Sequence, residues 1–275
     1  MGISSKLLGS LSILVLVFTV AHGDPPVPAV IIFGDSLVDV GNNYNLTTLV
    51  KANFPPYGRV FITHRPTGRF SNGKLATDFT ADYLGFTSYP PSYLSQEAKG
   101  VNTLTGVNFA SAASGYCDNT ARLYGTISLT QQLNNYREYQ NEVVSMVGRA
   151  KANAIFSGAI HLLSAGTSDF IQNYYINPLL VFSPDQFSDI LMISYSTFIQ
   201  PVLDMITNPG DNGFFETRRA CCGTGRLETS MFCNSRSVTC TNATGYVFWD
   251  GFHPSEAANE VLAGNLLQQG FDLIY

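Results

Sequence analysis

Apolar residues in the first third of this chain come in short runs rather than long periodic stretches. Pro28 to Phe33 (PAVIIF) is a β-branched run ending at Gly34-Asp35-Ser36, and it reads as a buried parallel-type strand feeding a turn. Residues 41–73 carry GNNYN, NFPPYG and RPTGRFSNG, a density of Asn, Pro and Gly that predicts irregular surface structure. From Lys74 to Leu84 the spacing turns helical, with Leu75, Phe79 and Tyr83 on one stripe. Val107 to Ala110 predicts a second strand, followed by the small residues Ser111 to Gly115. Leu129 to Ala150 predicts a polar helix with Leu133, Tyr136, Val143 and Val147 facing inward. Ala159 to Ala165 predicts a third strand, ending at Gly166-Thr167-Ser168-Asp169. Helical patterns resume from Asp185 to about Ile206, interrupted at Pro201. After a cysteine-bearing loop and Tyr246 to Trp249, a last helix runs from Ser255 to about Gln269, with Ser255 as N-cap and Glu256 suiting the helix dipole. Strand, helix, strand alternation predicts an α/β layer fold with a mostly parallel sheet.

The N-terminus changes the setting. Lys6, the apolar run Leu7 to Val20 and the small-x-small triplet Ala21-His22-Gly23 form a signal-peptide pattern over residues 1–23. The run is shorter than the ~18 residues that a spanning helix needs, so no stable membrane anchor is expected. Residues 24–275 then form one domain, secreted and extracellular. Without Lys6 the chain carries 14 Lys+Arg against 20 Asp+Glu, a net charge of −6, and it has no basic run; nucleic acid is excluded as a partner. Two glycosylation triplets, at Asn45 and Asn242, fit the secreted route. Of five cysteines, four (Cys221, Cys222, Cys233, Cys240) lie close together and predict a locally stapled loop, leaving Cys117 as the odd one. No C-x-x-C spacing or nearby paired His supports a metal.

In parallel sheets functional groups gather at the carboxyl ends of strands. Three strand ends here carry Ser36, Gly115 and the Ser168/Asp169 pair, and a fourth group arrives late as Asp250-Gly-Phe-His253-Pro254. Acyl transfer by serine needs a base for the hydroxyl proton, an acid to orient that base, and donors aimed at the oxyanion. With Asp250 and His253 three apart, one loop can hold both against Ser36. The remaining histidines read otherwise: His64 sits in a loop beside Arg65, and His161, inside an apolar strand, reads as a core residue.

Four blocks in order carry a resemblance. They are Phe33-Gly-Asp-Ser36-Leu37 with Asp39, Gly41, Asn42 and Asn43; Gly106-Val-Asn-Phe-Ala-Ser111; Gly166-Thr-Ser-Asp169; and Trp249-Asp-Gly-Phe-His253-Pro254. Phe54-Pro-Pro-Tyr-Gly58 and Pro66 to Lys74 add to them, so that nearly all of residues 24–275 resembles the plant-type GDSL esterase/lipases of the SGNH hydrolase superfamily. The resemblance implies a three-layer α/β/α flavodoxin-like fold. It implies Ser36 as nucleophile, His253 as general base and Asp250 as its orienting partner. The oxyanion hole would use Ser36, Gly115 and Ser168. No cofactor or metal is implied, and the substrates would be small-molecule or lipid carboxylic esters.

Three departures qualify what the resemblance implies. The third block usually carries Asn where this chain has Ser168, whose hydroxyl is a single donor on a shorter arm. The glycines that often follow Ala-Ser in the second block are Ala112 and Ala113, which leaves Gly115. Family members also carry a further strand, a long helix and another strand between the third block and the cysteine loop. Here Ser194 to Gln200 runs straight into Pro201 to Ile206, the mark of an internal deletion with lost strands, as from alternative splicing or a gene-model error. A catalytically impaired glycoprotein of the same fold, acting as a binding protein or a non-functional splice product, is therefore the alternative to an active esterase. A structural wall protein is not, because the chain is neither repetitive nor low in complexity.

Overall fold

A computed structural model describes residues 24–175, 213–226, 228 and 232–274. The signal-peptide stretch, the helical pattern from Asp185 to Ile206 and the junction at Gln200/Pro201 lie outside the described residues. Seven elements carry the fold: β1 (Val30–Gly34), α1 (Ala76–Tyr83), α2 (Asp118–Tyr124), α3 (Leu129–Val147), α4 (Arg149–Gly158), β2 (Ile160–Ser164) and α6 (Glu256–Ile274), with the single turn α5 (Thr167–Asp169) between the last two.

β1 is buried along its whole length and pairs in parallel with β2, from Val30 opposite Ile160 to Gly34 opposite Ser164. On its other side the chain from Thr105 to Ser111 runs alongside in the same sense, accepting from Val30 and Ile32 and donating back from Phe109 and Ser111. The strand expected at Val107–Ala110 is thus present as backbone pairing, although only Asn108 forms a regular bridge with Ile32. Alternation sorts the side chains of β1 into two layers. Ile31 and Phe33 pack with Phe109, Tyr139, Val143, Ala152 and Ile155 against α3 and α4. Val30 and Ile32 pack with Val38, Leu84, Ala110 and Leu267 on the opposite face, where α1 and α6 lie together. Helices on both faces of a parallel sheet make the three-layer α/β arrangement.

Several local readings need correction. The single helix expected over Leu129–Ala150 breaks at Gly148, whose φ of 80° ends α3 and starts α4. The inward faces also differ. On α1, Tyr83 is 51% exposed while Ala76, Thr77, Thr80 and Ala81 are buried, because small side chains let α1 approach α6 closely. On α3, Leu133 is exposed and Gln132, Asn135, Tyr139 and Val143 are buried. His161 is an exposed residue of β2 bonded to Tyr136 (2.9 Å) rather than a core residue, because burial alternates along this strand.

The cysteine loop is stapled as expected, by Cys221–Cys240 and Cys222–Cys233, while Cys117 is free and half-buried. Closing loops of 19 and 11 residues stabilises by about 3 kcal/mol each in the chain-entropy view. The stapled lobe also bonds directly to the segment before α6: Cys221 and Cys222 donate to Phe248 O and Trp249 O, and Val247 donates to Glu216 O.

Candidate active site

β1 ends at Gly34, whose φ of 142° and contact with the Ser164 carbonyl leave no room for a side chain. The chain then turns at once: Leu37 N–H donates to Asp35 Oδ1, and Val38 and Asp39 N–H donate to the Asp35 carbonyl. This throws Ser36 to the carboxyl end of the sheet. From below, Gln132 fixes the turn by accepting from Gly34 N–H and donating to Gly34 O, Ser114 Oγ and Ile127 O.

The late loop is a tight hairpin. Trp249 N–H donates to His253 O and Ser255 N–H to Val247 O, so Asp250, Gly251 and Phe252 form its tip. Ser255 caps α6 by accepting from Ala258 N–H, as expected. The hairpin brings the three predicted residues into one line. His253 Nε2 lies 2.8 Å from Ser36 Oγ, and Nδ1 lies 2.8 Å from each oxygen of Asp250. Asp250 Oδ1 also accepts from the N–H groups of Phe252 (3.2 Å) and His253 (3.1 Å), and Oδ2 accepts from Tyr57 Oη (2.6 Å). Ser36, Asp250 and His253 are all at most 3% exposed, and the Phe70 ring covers the imidazole at 5.0 Å between centroids. A carboxylate that only accepts keeps the proton on Nδ1 and leaves Nε2 free to take one from the serine.

The motif residues around this line serve as a buried polar scaffold. Asp39 accepts from Gly41 and Asn42 N–H on one oxygen and from Ala112 N–H on the other, tying the first block to the second. Asn42 Nδ2 donates to Asn108 O and Ala110 O, and Asn43 Nδ2 to Val50 O and Ala112 O. Asp169 accepts from Tyr116 and Cys117 N–H and from Thr120 Oγ1, and so grips the loop that begins at Gly115. Gly115 is buried against that carboxylate, where a Cβ would overlap it. Ser168 is buried in the turn between β2 and Asp169, and its hydroxyl makes no hydrogen bond with a described residue. Sequence patterns missed Gln132 and Tyr57. The one available signal for Tyr57 was its place in Phe54-Pro-Pro-Tyr-Gly58.

Burial pushes the Asp35 carboxyl up to about 7, with nearby Asp169 adding to the shift and the N–H groups of Leu37, Ser168 and Thr167 opposing it. Oδ2 of Asp35 has no hydrogen-bond partner among the described residues. Burial likewise raises Asp39 to about 6. Above pH 4 the unfolded chain has released these protons while the folded chain keeps them, so the stability they supply is lost as pH rises to about 7. For Asp35 that loss has an upper bound of about 4 kcal/mol. Asp35→Asn is expected to flatten the fall of Tm between pH 4 and 8 by a few degrees, read by thermal melts; parallel wild-type and variant profiles would refute the assignment.

The two sequon asparagines are exposed and each lines a surface groove away from this line: Asn45 one of about 720 Å³, Asn242 one of about 390 Å³. Among the described residues no group of His, Cys, Asp and Glu is arranged to hold a metal, and no helix is long and apolar enough to cross a membrane.

The family model for GDSL-like Lipase/Acylhydrolase matches residues 30–200 and 193–266. Similar proteins are the Arabidopsis thaliana GDSL esterase/lipase At5g03820, 54% identical over 93% of this chain and 94% of its own length, and GDSL esterase/lipase At5g03810, 52% identical with the same coverage. GDSL esterase/lipase APG from the same plant is 44% identical over 90% of this chain and 92% of its own length. The two matched segments overlap at 193–200, against the Gln200/Pro201 junction, and the first alignment is 333 residues long, longer than the 275-residue chain, so this relative carries residues without a counterpart here. On the four ordered blocks, the three-layer fold and these matches, the chain belongs to the GDSL lipase/acylhydrolase family.

Proposed function

We propose that this chain is a secreted serine hydrolase of carboxylic esters, its mature domain spanning residues 24–275. Ser36 Oγ attacks the ester carbonyl as His253 Nε2 takes its proton, and Asp250 holds the imidazolium that results. The oxyanion is met by the N–H groups of Ser36 and Gly115 and by the Ser168 hydroxyl. His253 then gives its proton to the leaving alcohol, leaving an acyl group on Ser36. Water, activated by the same imidazole, releases the acid and restores the serine. The observation that carries the reading is the unbroken buried line Ser36–His253–Asp250 with three contacts of 2.8 Å. The two disulfides suit an oxidising compartment, and the exposure of Asn45 and Asn242 suits their glycosylation.

A second reading, a catalytically impaired protein of the same fold shortened by an internal deletion, is favoured by the family match in two overlapping pieces. One experiment separates the two. The secreted chain is treated with a fluorophosphonate and digested, and adducts are mapped by mass spectrometry. An adduct on the Ser36 peptide supports the hydrolase. A monodisperse, disulfide-bonded chain without it supports the impaired form.

A further inference from the structure

We propose that Tyr57 is a positioning residue of the ester-hydrolysing site, its phenol holding the Asp250 carboxylate in the plane that His253 requires. The inference rests on the triad reading above. Tyr57 is 1% exposed and follows the turn Phe54-Pro-Pro, in which Tyr57 N–H donates to Phe54 O (3.2 Å). Its ring is wedged edge-on among Phe54 (5.6 Å), Phe70 (6.0 Å) and Trp249 (6.4 Å), so the hydroxyl has one direction in which to point. It reaches Asp250 Oδ2 at 2.6 Å, the short range of a hydroxyl donating to a carboxylate.

The division of labour on Asp250 is what gives this bond consequence. Oδ1 has two backbone donors from its own loop besides the imidazole. Among the described residues, Oδ2 has only the shared imidazole and Tyr57. Because Asp250 is fully buried, bulk solvent does not replace a missing donor. Without the phenol, Oδ2 is fixed by no described residue outside the hairpin, and the carboxylate is free to rotate about the two backbone bonds of Oδ1. The donor is permanent: burial, then the charge and hydrogen bond of Asp250, push the phenol of Tyr57 well above its ordinary range.

Other charged groups nearby are engaged elsewhere. Arg59 lies 4.7 Å over the Trp249 ring and donates to Thr239 Oγ1 and Cys240 O. Asp35 faces the N–H groups of Leu37, Thr167 and Ser168.

Tyr57→Phe keeps the ring and removes only the hydroxyl. We expect kcat on a p-nitrophenyl ester to fall about tenfold with KM within twofold, because the carboxylate orients the base in the transition state rather than binding the ester. Fluorophosphonate labelling of Ser36 slows in proportion. Val143→Ala is the control for lost packing alone: it opens the core between β1 and α3, away from Tyr57, and leaves the phenol in place, so it lowers Tm while kcat stays within twofold. A Tyr57→Phe variant with the wild-type kcat overturns the inference, as does an equal fall of kcat in Val143→Ala. A wild-type chain in which Ser36 takes no label removes the triad reading itself, and the inference falls with it; the labelling of wild type therefore tells the two failures apart.

Discussion

Asp250→Asn is expected to lower kcat roughly 10⁴-fold, the scale on which a misplaced imidazole proton costs a serine hydrolase. The local geometry leaves the amide no good orientation. Among the described residues, Oδ1 faces the N–H groups of Phe252 and His253, Oδ2 faces the Tyr57 hydroxyl, which can turn to accept, and the Nδ1–H of His253 faces both at 2.8 Å. An amide therefore turns its NH₂ toward at least one donor whichever way it sits. If that donor is Nδ1, relief comes from moving the imidazole proton to Nε2, which then cannot accept from Ser36 Oγ. If it is the pair of backbone N–H groups, the hairpin tip must shift and the 2.8 Å contact between Nε2 and Oγ goes with it. Steady-state kinetics with a p-nitrophenyl ester and the rate of fluorophosphonate labelling both read the effect. A loss of less than tenfold in a variant that still folds would remove Asp250 from the role proposed for it.

The parts of this site that were legible in the sequence are those carried by strand ends and short spacings. A β-branched run stopping at Gly34-Asp35-Ser36 announces both β1 and the turn that displays Ser36. Asp250 and His253, three apart beside a helix start, announce a loop able to hold both. What stayed hidden was polar and buried. Apolar periodicity on α3 favours Leu133, yet the residue that faces inward is Gln132, because its amide satisfies both backbone groups of Gly34 beneath the serine turn. On α1 the pattern favours Tyr83, yet alanines and threonines are buried, since the nearness of α6 selects for small volume over hydrophobicity. Tyr57 sits 193 residues from Asp250. No local spacing signals that pairing, which is set by the way the Phe54–Tyr57 turn and the late hairpin both pack on Trp249 and Phe70.

Asp169→Asn is the companion expectation on the oxyanion side. Its Oδ2 accepts from Tyr116 N–H at 2.7 Å, and its Oδ1 accepts from Cys117 N–H at 3.2 Å and Thr120 Oγ1 at 2.7 Å. These bonds fix the two residues after Gly115, while Ser114 Oγ, just before it, donates to Gly34 O at the end of β1. Gly115 is thus held between the serine strand and the third block, with no space for a Cβ beside the carboxylate. An amide at position 169 sets its NH₂ against Tyr116 N–H or Cys117 N–H and pushes the loop off. If Gly115 N–H is an oxyanion donor, its displacement should cost about 10²–10³ in kcat. KM should change little, because the donor meets charge that develops only in the transition state. Gly115→Ala should do the same by the opposite route, since the new methyl must displace either the loop or Asp169. The double variant should then be barely worse than either single one, because both remove one contact. Additive losses would mean that the two positions act on different steps, and Gly115 would lose its place in the oxyanion hole.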